Sequence, residues 1–227
     1  MKDESRAPRT ALLAGATGLV GRALLPLLLA SGRYRHVHVL LRRSVPDIKA
    51  TPKLEVHHVD FAKLPAAFPR ADDVFITLGT TIKVAGSEAA FRQVDFDFVV
   101  NTARAARTAG ATRLAVVSAL GADATSRVFY NRVKGEMEAA IAQLGYRSIV
   151  IAQPSLLLGD RAALGQPVRS GELWAARLLG PMSWILPKGV QPIHARTVAS
   201  AMLTAILEAK PGVRILKSGA MQPHERR

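Results

Sequence analysis

The sequence predicts an α/β protein built on a doubly wound parallel sheet with helices on both faces. Short apolar segments of strand character alternate with stretches of helical length along most of the chain. Hydrophobic residues make up 49% of its 227 residues, which suits a sheet buried on both faces. The first apolar segment also runs into a glycine turn that opens a helix. A chain of this length forms one large domain, so we expect a single domain over residues 1–227.

The predicted elements follow each other in a repeated βα order. Strand character is found at Ala11–Ala14, His36–Leu41, Leu54–Val59, Val74–Leu78, Arg113–Ser118 and Ser148–Ala152. Helical character is found at Leu19–Ala30, Glu88–Ala109, Phe129–Leu144 and Ala195–Ala209. Gly32, Gly110 and Gly145 lie where helix C-caps are expected. Gly159 to Gln191 is rich in Gly, Pro and Trp, and we expect residues 159–227 to contribute a small C-terminal substrate lobe packed by Trp174 and Trp184.

Gly15, Gly18 and Gly21 form a G-x-x-G-x-x-G turn between the first strand and the first helix. The first glycine permits the tight turn, the second lets phosphates approach the backbone, and the third lets the helix pack closely on the strand. Such a turn presents backbone N–H groups and a positive helix end to a pyrophosphate. The sequence therefore predicts a Rossmann-like dinucleotide site; a glycine-rich turn that binds nothing is the alternative. The expected contacts are Gly15, Thr17, Gly18, Leu19, Val20 and Gly21.

The ends of the next strands indicate which dinucleotide is bound. The second strand ends Leu40-Leu41-Arg42-Arg43-Ser44, without the carboxylate that holds a ribose 2′-hydroxyl. Arg42 and Arg43 suit a 2′-phosphate, which favours NADP over NAD, although both side chains could instead project into water. Asp60, with Phe61 beside it, could accept from an adenine amino group or cap a helix. The turn Leu78, Gly79 and Thr80 could approach the cofactor or simply end its strand.

Tyr130 and Lys134 are four residues apart in helical sequence, so they share one face. The Lys134 ammonium favours the phenolate form of Tyr130, which a tyrosine needs in order to exchange a proton near neutral pH. Ser118 ends the fifth strand, at the sheet edge where ligands bind, and its hydroxyl could steady a substrate oxygen. A solvated helix face and an ordinary turn serine are the alternative interpretations. The combination in this order predicts a catalytic Ser-Tyr-Lys triad.

With these motifs the chain resembles the atypical or extended short-chain dehydrogenase/reductases, and within them the Tat-interacting-protein (CC3) type of NADPH-binding proteins and their bacterial relatives. The stretches that carry the resemblance are GATGLVGRALL, LLRRS, VDF, LGTT, VVSALGAD, YNRVKGEME and QPSLLLGDR, from residue 10 to about residue 161. The resemblance implies Tyr130 as catalytic acid or base, Lys134 also on the ribose, and Ser118 orienting the substrate. It places Pro154, Ser155 and Leu156 near the nicotinamide. Gln153 and Ser155 depart from the family, which has arginine and glycine there.

Composition restricts the remaining classes of partner. The net charge of +14 attracts anions, but the basic residues are scattered and only 5% of residues are aromatic, so we expect no nucleic-acid role. The chain has no cysteine, which agrees with a reducing cytoplasm. We expect a cytoplasmic protein without a membrane span. We expect no metal site: His57 and His58 point to opposite faces of a strand, and His36 and His38 share a face but lack a carboxylate or cysteine partner.

Three functions remain open after this reasoning. The leading one is an NADP-dependent oxidoreductase that moves hydride to or from a small carbonyl or alcohol substrate. A nucleotide-sugar epimerase or dehydratase would keep the same triad. A protein that binds NADPH and reports its occupancy to a protein partner would need no turnover. The substrate and the oligomeric state do not follow from the sequence.

Overall fold

A computed structural model describes residues 8–159 and 190–222 of the chain. Its strands are β1 (Arg9–Ala14), β2 (Tyr34–Leu41), β3 (Leu54–His58), β4 (Asp73–Ile76), β5 (Arg113–Val117), β6 (Ser148–Gln153), β7 (Leu157–Leu158), β8 (Ile193–His194) and β9 (Gly212–Lys217). Its helices are α1 (Leu19–Ala30), α2 (Ile82–Ala85), α3 (Glu88–Arg92), a π-helical segment (Gln93–Asp97), α4 (Phe98–Thr108), α5 (Phe129–Ala142), α6 (Ala195–Leu207) and α7 (Ser218–Met221).

The main sheet has seven strands in the order β3-β2-β1-β4-β5-β6-β9, and every neighbouring pair is parallel. The chain starts in the centre with β1, winds outward through β2 and β3, and then winds the other way from β4. This is the doubly wound Rossmann-like order that the sequence predicts. The β1–β4 boundary is the point where the winding reverses, and ligands bind at that point, beyond the carboxyl ends of the strands.

Two apolar layers hold the sheet between helices. On one face, α1 and α6 pack through residues such as Leu24 and Met202 against Leu13 of β1. On the other face, α4 and α5 pack through residues such as Val99 and Met137. Because both faces are covered, the middle of a central strand is apolar, as in β6, where all six residues are buried and residues 149–152 are apolar.

The structure corrects the sequence prediction at three places. The predicted helix Glu88–Ala109 is not uniform, because Gln93–Asp97 adopts the wider π-helical turn between α3 and α4. Gly110 has a φ of +106° directly after the α4 C-cap, as expected, but α1 ends at an extended Ser31 and Gly32 is not left-handed. The sequence analysis also missed β9, an edge strand with an exposed Val213.

Residues 160–189 and 223–227 of the predicted substrate lobe, which include Trp174 and Trp184, lie outside the described residues. The part of the lobe that is described contributes strand β8, which pairs with β7, together with helix α6, strand β9 and helix α7. Within residues 8–159 and 190–222, none of the helices is long and apolar enough to cross a membrane.

Candidate functional site

The glycine turn joins β1 to α1 as the sequence predicts. Gly15 has a φ of +93°, and the N–H of Gly18 donates to its carbonyl at 3.1 Å, closing the turn. Gly18 is the N-cap of α1, so no cap side chain competes for the first N–H groups of the helix. Thr17 is exposed beside them. The turn can therefore offer backbone donors and the positive end of α1 to a phosphate.

The three glycines are required for different reasons. A Cβ on Gly21 would lie 2.1 Å from the Gly15 carbonyl oxygen, and one on Gly15 would lie 2.6 Å from the backbone of Thr77. Both would collide with backbone atoms. A Cβ on Gly18 would meet its nearest atom at 3.5 Å, an ordinary contact. Packing within the protein thus explains Gly15 and Gly21, whereas Gly18 leaves a space at the start of α1 that the protein itself does not fill.

The residues expected at the adenosine end lie beyond β2 and β3. Arg42 and Arg43 are both exposed directly after β2. Asp60 does not cap a helix, because its Oδ1 accepts the N–H of Ala62 at 2.9 Å in a turn. None of the described residues donates to its second carboxylate oxygen, which can therefore act as an acceptor. Phe61 is buried and stacks on Phe98 with 6.0 Å between ring centroids, so its side chain belongs to the core and only its backbone could contact a nucleotide.

The turn after β4 meets both the glycine turn and the lysine of the predicted triad. Leu78 follows the Thr77 backbone against which Gly15 packs. A Cβ on Gly79 would lie 3.3 Å from Asp95 Oδ1 and 3.9 Å from Lys134 Nζ. The N–H of Thr80 donates to Asp95 Oδ2 at 2.8 Å. The structure therefore brings Gly15, Gly79, Asp95 and Lys134 to one location at the carboxyl edge of the sheet.

Lys134 and Asp95 form a buried ion pair. Lys134 Nζ lies 2.7 Å from Asp95 Oδ1, and the two side chains are 4% and 1% exposed. Burial acts to lower the pKa of Lys134, but the negative charges of Asp95 and of the Tyr130 phenolate, with the hydrogen bond to Asp95, outweigh it and raise that pKa. Lys134 is therefore charged at neutral pH, held in one position inside the protein.

Tyr130 lies in the first turn of α5, one turn before Lys134, and is half-buried. Its ring packs beside Phe91 of α3, with 5.3 Å between ring centroids. Gly135 lets α5 approach the preceding loop, because a Cβ there would lie 2.1 Å from the backbone nitrogen of Ala124. The helix that carries Tyr130 and Lys134 is thus fixed both by an aromatic contact and by a close backbone approach.

Ser118 directly follows β5 and is 4% exposed. Its N–H donates to the Ala152 carbonyl at 2.7 Å. Its Oγ has no hydrogen-bond partner among the residues that the structure describes. A buried hydroxyl without a partner is uncommon in a folded protein, and a ligand oxygen at this edge of the sheet would satisfy it.

The segment after β6 also reaches this edge. Pro154 is buried and its carbonyl accepts the N–H of Leu120 at 2.9 Å, which links the loops after β5 and β6. Ser155 Oγ lies 2.9 Å from Ser218 Oγ and also bonds to the Gln191 carbonyl. The Leu156 carbonyl accepts the N–H of Ile193 at 2.9 Å, which starts the β7–β8 pair.

The two departures from the family pattern fit this local structure. Ser155 has an ordinary negative φ, so its backbone does not require the glycine of the family. The amide of Gln153 donates to both carboxylate oxygens of Glu138 at 3.0 Å and thereby anchors α5 to the end of β6. Both residues hold the loop in place without family-type side chains.

Asp95 is the site residue that the sequence analysis missed. On a uniform α-helix its position gives no reason to face Lys134, which is about forty residues further along the chain. The π-helical turn over Gln93–Asp97 changes the direction of its side chain. Such turns occur frequently at functional sites. The signal that the sequence offered was a carboxylate on a largely apolar helix face, because Phe91, Phe98 and Val99 lie three or four positions from Asp95.

Residues 15–152 match the family described as NAD(P)H-binding. The chain is 32% identical over 210 residues to Protein HTATIP2 of Rattus norvegicus, covering 90% of this chain and 84% of that protein. It is also 32% identical over 222 residues to Protein FMP52, mitochondrial, of Eremothecium gossypii, covering 92% of this chain and 93% of that protein.

Among solved structures, the fold is similar to that of MoeE5 in complex with UDP-glucose and NAD. The TM-score is 0.67 at 17% identity, with 92% of this chain and 76% of that chain covered. At this identity the likeness concerns the fold alone.

Proposed function

We propose that the chain, which belongs to the NAD(P)H-binding family and is an atypical short-chain dehydrogenase/reductase, is an NADP(H)-dependent oxidoreductase. The proposed reaction moves a hydride to or from a small carbonyl or alcohol substrate. The observation that carries the proposal is the buried Lys134–Asp95 ion pair, one helical turn from Tyr130 and next to the Gly79 turn. A structural protein has no evident need for such a pair at the ligand edge of the sheet.

The dinucleotide would lie across the point where the winding of the sheet reverses. Its pyrophosphate would occupy the space at Gly18 and accept from the N–H groups of Leu19 and Val20. Gly15 and Gly21 would shape the turn, and Thr17 would add a hydroxyl. This fit is supported by the open N-terminus of α1 and by the room that Gly18 leaves.

Arg42 and Arg43 would hold a 2′-phosphate, and Asp60 would accept from the adenine amino group through its second oxygen. Two exposed guanidiniums with no carboxylate beside them favour NADP over NAD. The Leu78 to Thr80 turn would approach the cofactor with its backbone. Pro154, Ser155 and Leu156 would border the nicotinamide end.

When bound, the nicotinamide ring supplies or accepts the hydride. Tyr130 would give or take the proton at the substrate oxygen through its hydroxyl. Lys134, kept charged by Asp95, would stabilise the phenolate and bind the ribose hydroxyls. Ser118 would donate its unpartnered hydroxyl to the same substrate oxygen and so orient the carbonyl.

The proposal is tested with Tyr130→Phe and a panel of small aldehydes, ketones and alcohols. Loss of the hydroxyl should abolish turnover while NADPH affinity, measured by quenching of protein fluorescence, stays within about threefold, because the phenyl ring still packs on Phe91. Phe129→Leu changes the neighbouring residue and is the matched control. It should keep both the turnover rate and the NADPH affinity of the wild type. Unchanged turnover in Tyr130→Phe would reject the assigned chemistry.

A nucleotide-sugar epimerase or dehydratase is the second candidate, because the fold neighbour MoeE5 was solved with UDP-glucose and NAD. Sugar conversion with retained cofactor and no net oxidation would favour it. NADPH binding without turnover on any substrate would favour the regulatory role with a protein partner. We keep the cytoplasm as the proposed location, although the related FMP52 protein is named mitochondrial.

A further inference from the structure

Three side chains of metal-ligand type meet on one face of the sheet, on strands that carry no residue of the triad. His38 Nδ1 lies 3.0 Å from His57 Nε2. Glu55 reaches both rings, with Oε2 at 3.4 Å from His38 Nδ1 and Oε1 at 3.6 Å from His57 Nε2. One ligand atom from each residue can be chosen so that all three lie within 4.8 Å of one another.

The register of the β2–β3 pair produces this cluster. His38 is opposite Glu55, and Leu40 is opposite His57. Glu55 and His57 are two residues apart on β3, so both side chains point to the same face as His38. Strand β2 alone offers His38 no carboxylate partner, but the neighbouring strand β3 supplies Glu55. The next residue, His58, points to the opposite face of the sheet.

The spacing of the three side chains is close to that around a tetrahedral ion. Ligand bonds of about 2.0–2.1 Å in tetrahedral geometry place neighbouring ligand atoms about 3.3 Å apart. The two ring nitrogens are 3.0 Å apart, and each lies near a different Glu55 oxygen, at 3.4 Å for His38 and at 3.6 Å for His57. A small rotation of the exposed Glu55 side chain would bring one of these oxygens toward both rings. The donor set of two imidazoles and one carboxylate is a set that Zn²⁺ accepts, with the fourth position left to water.

We propose that His38, Glu55 and His57 form a Zn²⁺ site that ties the edge strand β3 to β2. The ion replaces a single hydrogen bond between the two rings by three bonds to one centre. The site is independent of the dinucleotide, because it uses none of the residues assigned to cofactor or substrate.

The test uses the full-length protein without a histidine tag, stripped with a chelator and titrated with Zn²⁺ in competition with a chromophoric zinc indicator. The wild type should bind one equivalent. His57→Gln and His38→Gln should weaken binding by about 100-fold or more, because each removes a direct ligand. His58→Gln, the adjacent histidine on the opposite face, is the matched control and should bind as the wild type does.

Glu55→Gln keeps the experiment decisive if a histidine variant folds poorly, because the Glu55 side chain is 65% exposed and its replacement does not disturb the core. It should also weaken Zn²⁺ binding, and Co²⁺ bound to the wild type should give the intense visible absorption of a tetrahedral complex. A wild type that binds less than one equivalent, or affinity equal in wild type, Glu55→Gln and His57→Gln, would overturn the proposal. The two rings would then share only a hydrogen bond.

Discussion

Replacing Asp95 by asparagine removes the charge that faces Lys134 and keeps the size of the side chain. The charged atoms lie 2.7 Å apart in a site that is nearly inaccessible to water. Removing one partner of a buried ion pair leaves the other charge uncompensated, which costs about 3–5 kcal/mol. The asparagine oxygen can still accept the N–H of Thr80. We therefore expect Asp95→Asn to lower the free energy of unfolding by about 3 kcal/mol, at the lower end of that range.

Asp95→Ala should cost more than Asp95→Asn, because it also removes the acceptor for Thr80. The amide oxygen in Asp95→Asn is a neutral acceptor, and a hydrogen bond between neutral groups contributes about 0.5–1.5 kcal/mol. The difference between the two variants therefore measures the Thr80 bond, and the difference between wild type and Asp95→Asn measures the charge on Asp95.

The difference in the free energy of unfolding between wild type and Asp95→Asn should change with pH in a definite direction. Burial acts to lower the pKa of Lys134, but the charge of Asp95 and the hydrogen bond to it, together with the charges of Tyr130 and Glu138, outweigh burial, so the folded-state pKa lies above the ordinary value of 10.5. A group whose pKa is raised by folding stabilises the protein fully below its unfolded pKa and loses that contribution as the pH rises through its folded pKa. The stability difference between wild type and Asp95→Asn should therefore be constant around neutral pH and shrink above pH 10.5.

The assay is equilibrium unfolding in urea, followed by circular dichroism at a series of pH values. Asp97→Asn is the matched control, because Asp97 lies two residues away in the same π-helical segment and has no ion pair with Lys134. Equal unfolding midpoints for the wild type, Asp95→Asn and Asp97→Asn at neutral pH would refute the reasoning. A difference that grows above pH 10.5 would contradict the assigned sign.

Two further predictions concern the cofactor. Gly21→Ala should disrupt the turn and abolish NADPH binding, because its Cβ would lie 2.1 Å from a backbone oxygen. Gly18→Ala should have wild-type stability in thermal unfolding but bind NADPH about tenfold more weakly, because its Cβ enters the space left for the phosphates. Equal stability losses in the two variants would contradict this. Arg42→Ala combined with Arg43→Ala should weaken NADPH binding by about 100-fold and leave NADH binding unchanged in fluorescence titrations. Arg104→Ala, which replaces another exposed arginine, is the control. An equal loss of affinity for both coenzymes would be inconsistent with recognition of the 2′-phosphate.

Local sequence signals were sufficient for six strands of the main sheet, the longer helices and the glycine turn, but not for β9 or the π-helical segment. β1 and α1 follow from apolar runs on either side of glycines, and Gly15 and Gly21 have the steric roles assigned to them. Tyr130 and Lys134 share a face because helical spacing alone determines it. These features depend on residues that are near each other along the chain.

Features that depend on contacts between distant segments could not be predicted. The Asp95–Lys134 pair needs both the π-helical turn and the packing of that turn against α5. The cluster at His38 needs the β2–β3 register, which an isolated strand does not specify. Phe61 follows a strand as expected, but its packing on Phe98 removes its side chain from the cofactor region.

The proposed dinucleotide site at the turn between β1 and α1, beside Tyr130, can be tested by titrating the purified protein with NADPH and NADH at low salt and following the fluorescence of the reduced nicotinamide. One NADPH should bind per chain, saturably and more tightly than NADH, and Gly21→Ala should lose this binding. If the folded wild-type protein binds neither coenzyme, the turn is not a dinucleotide site.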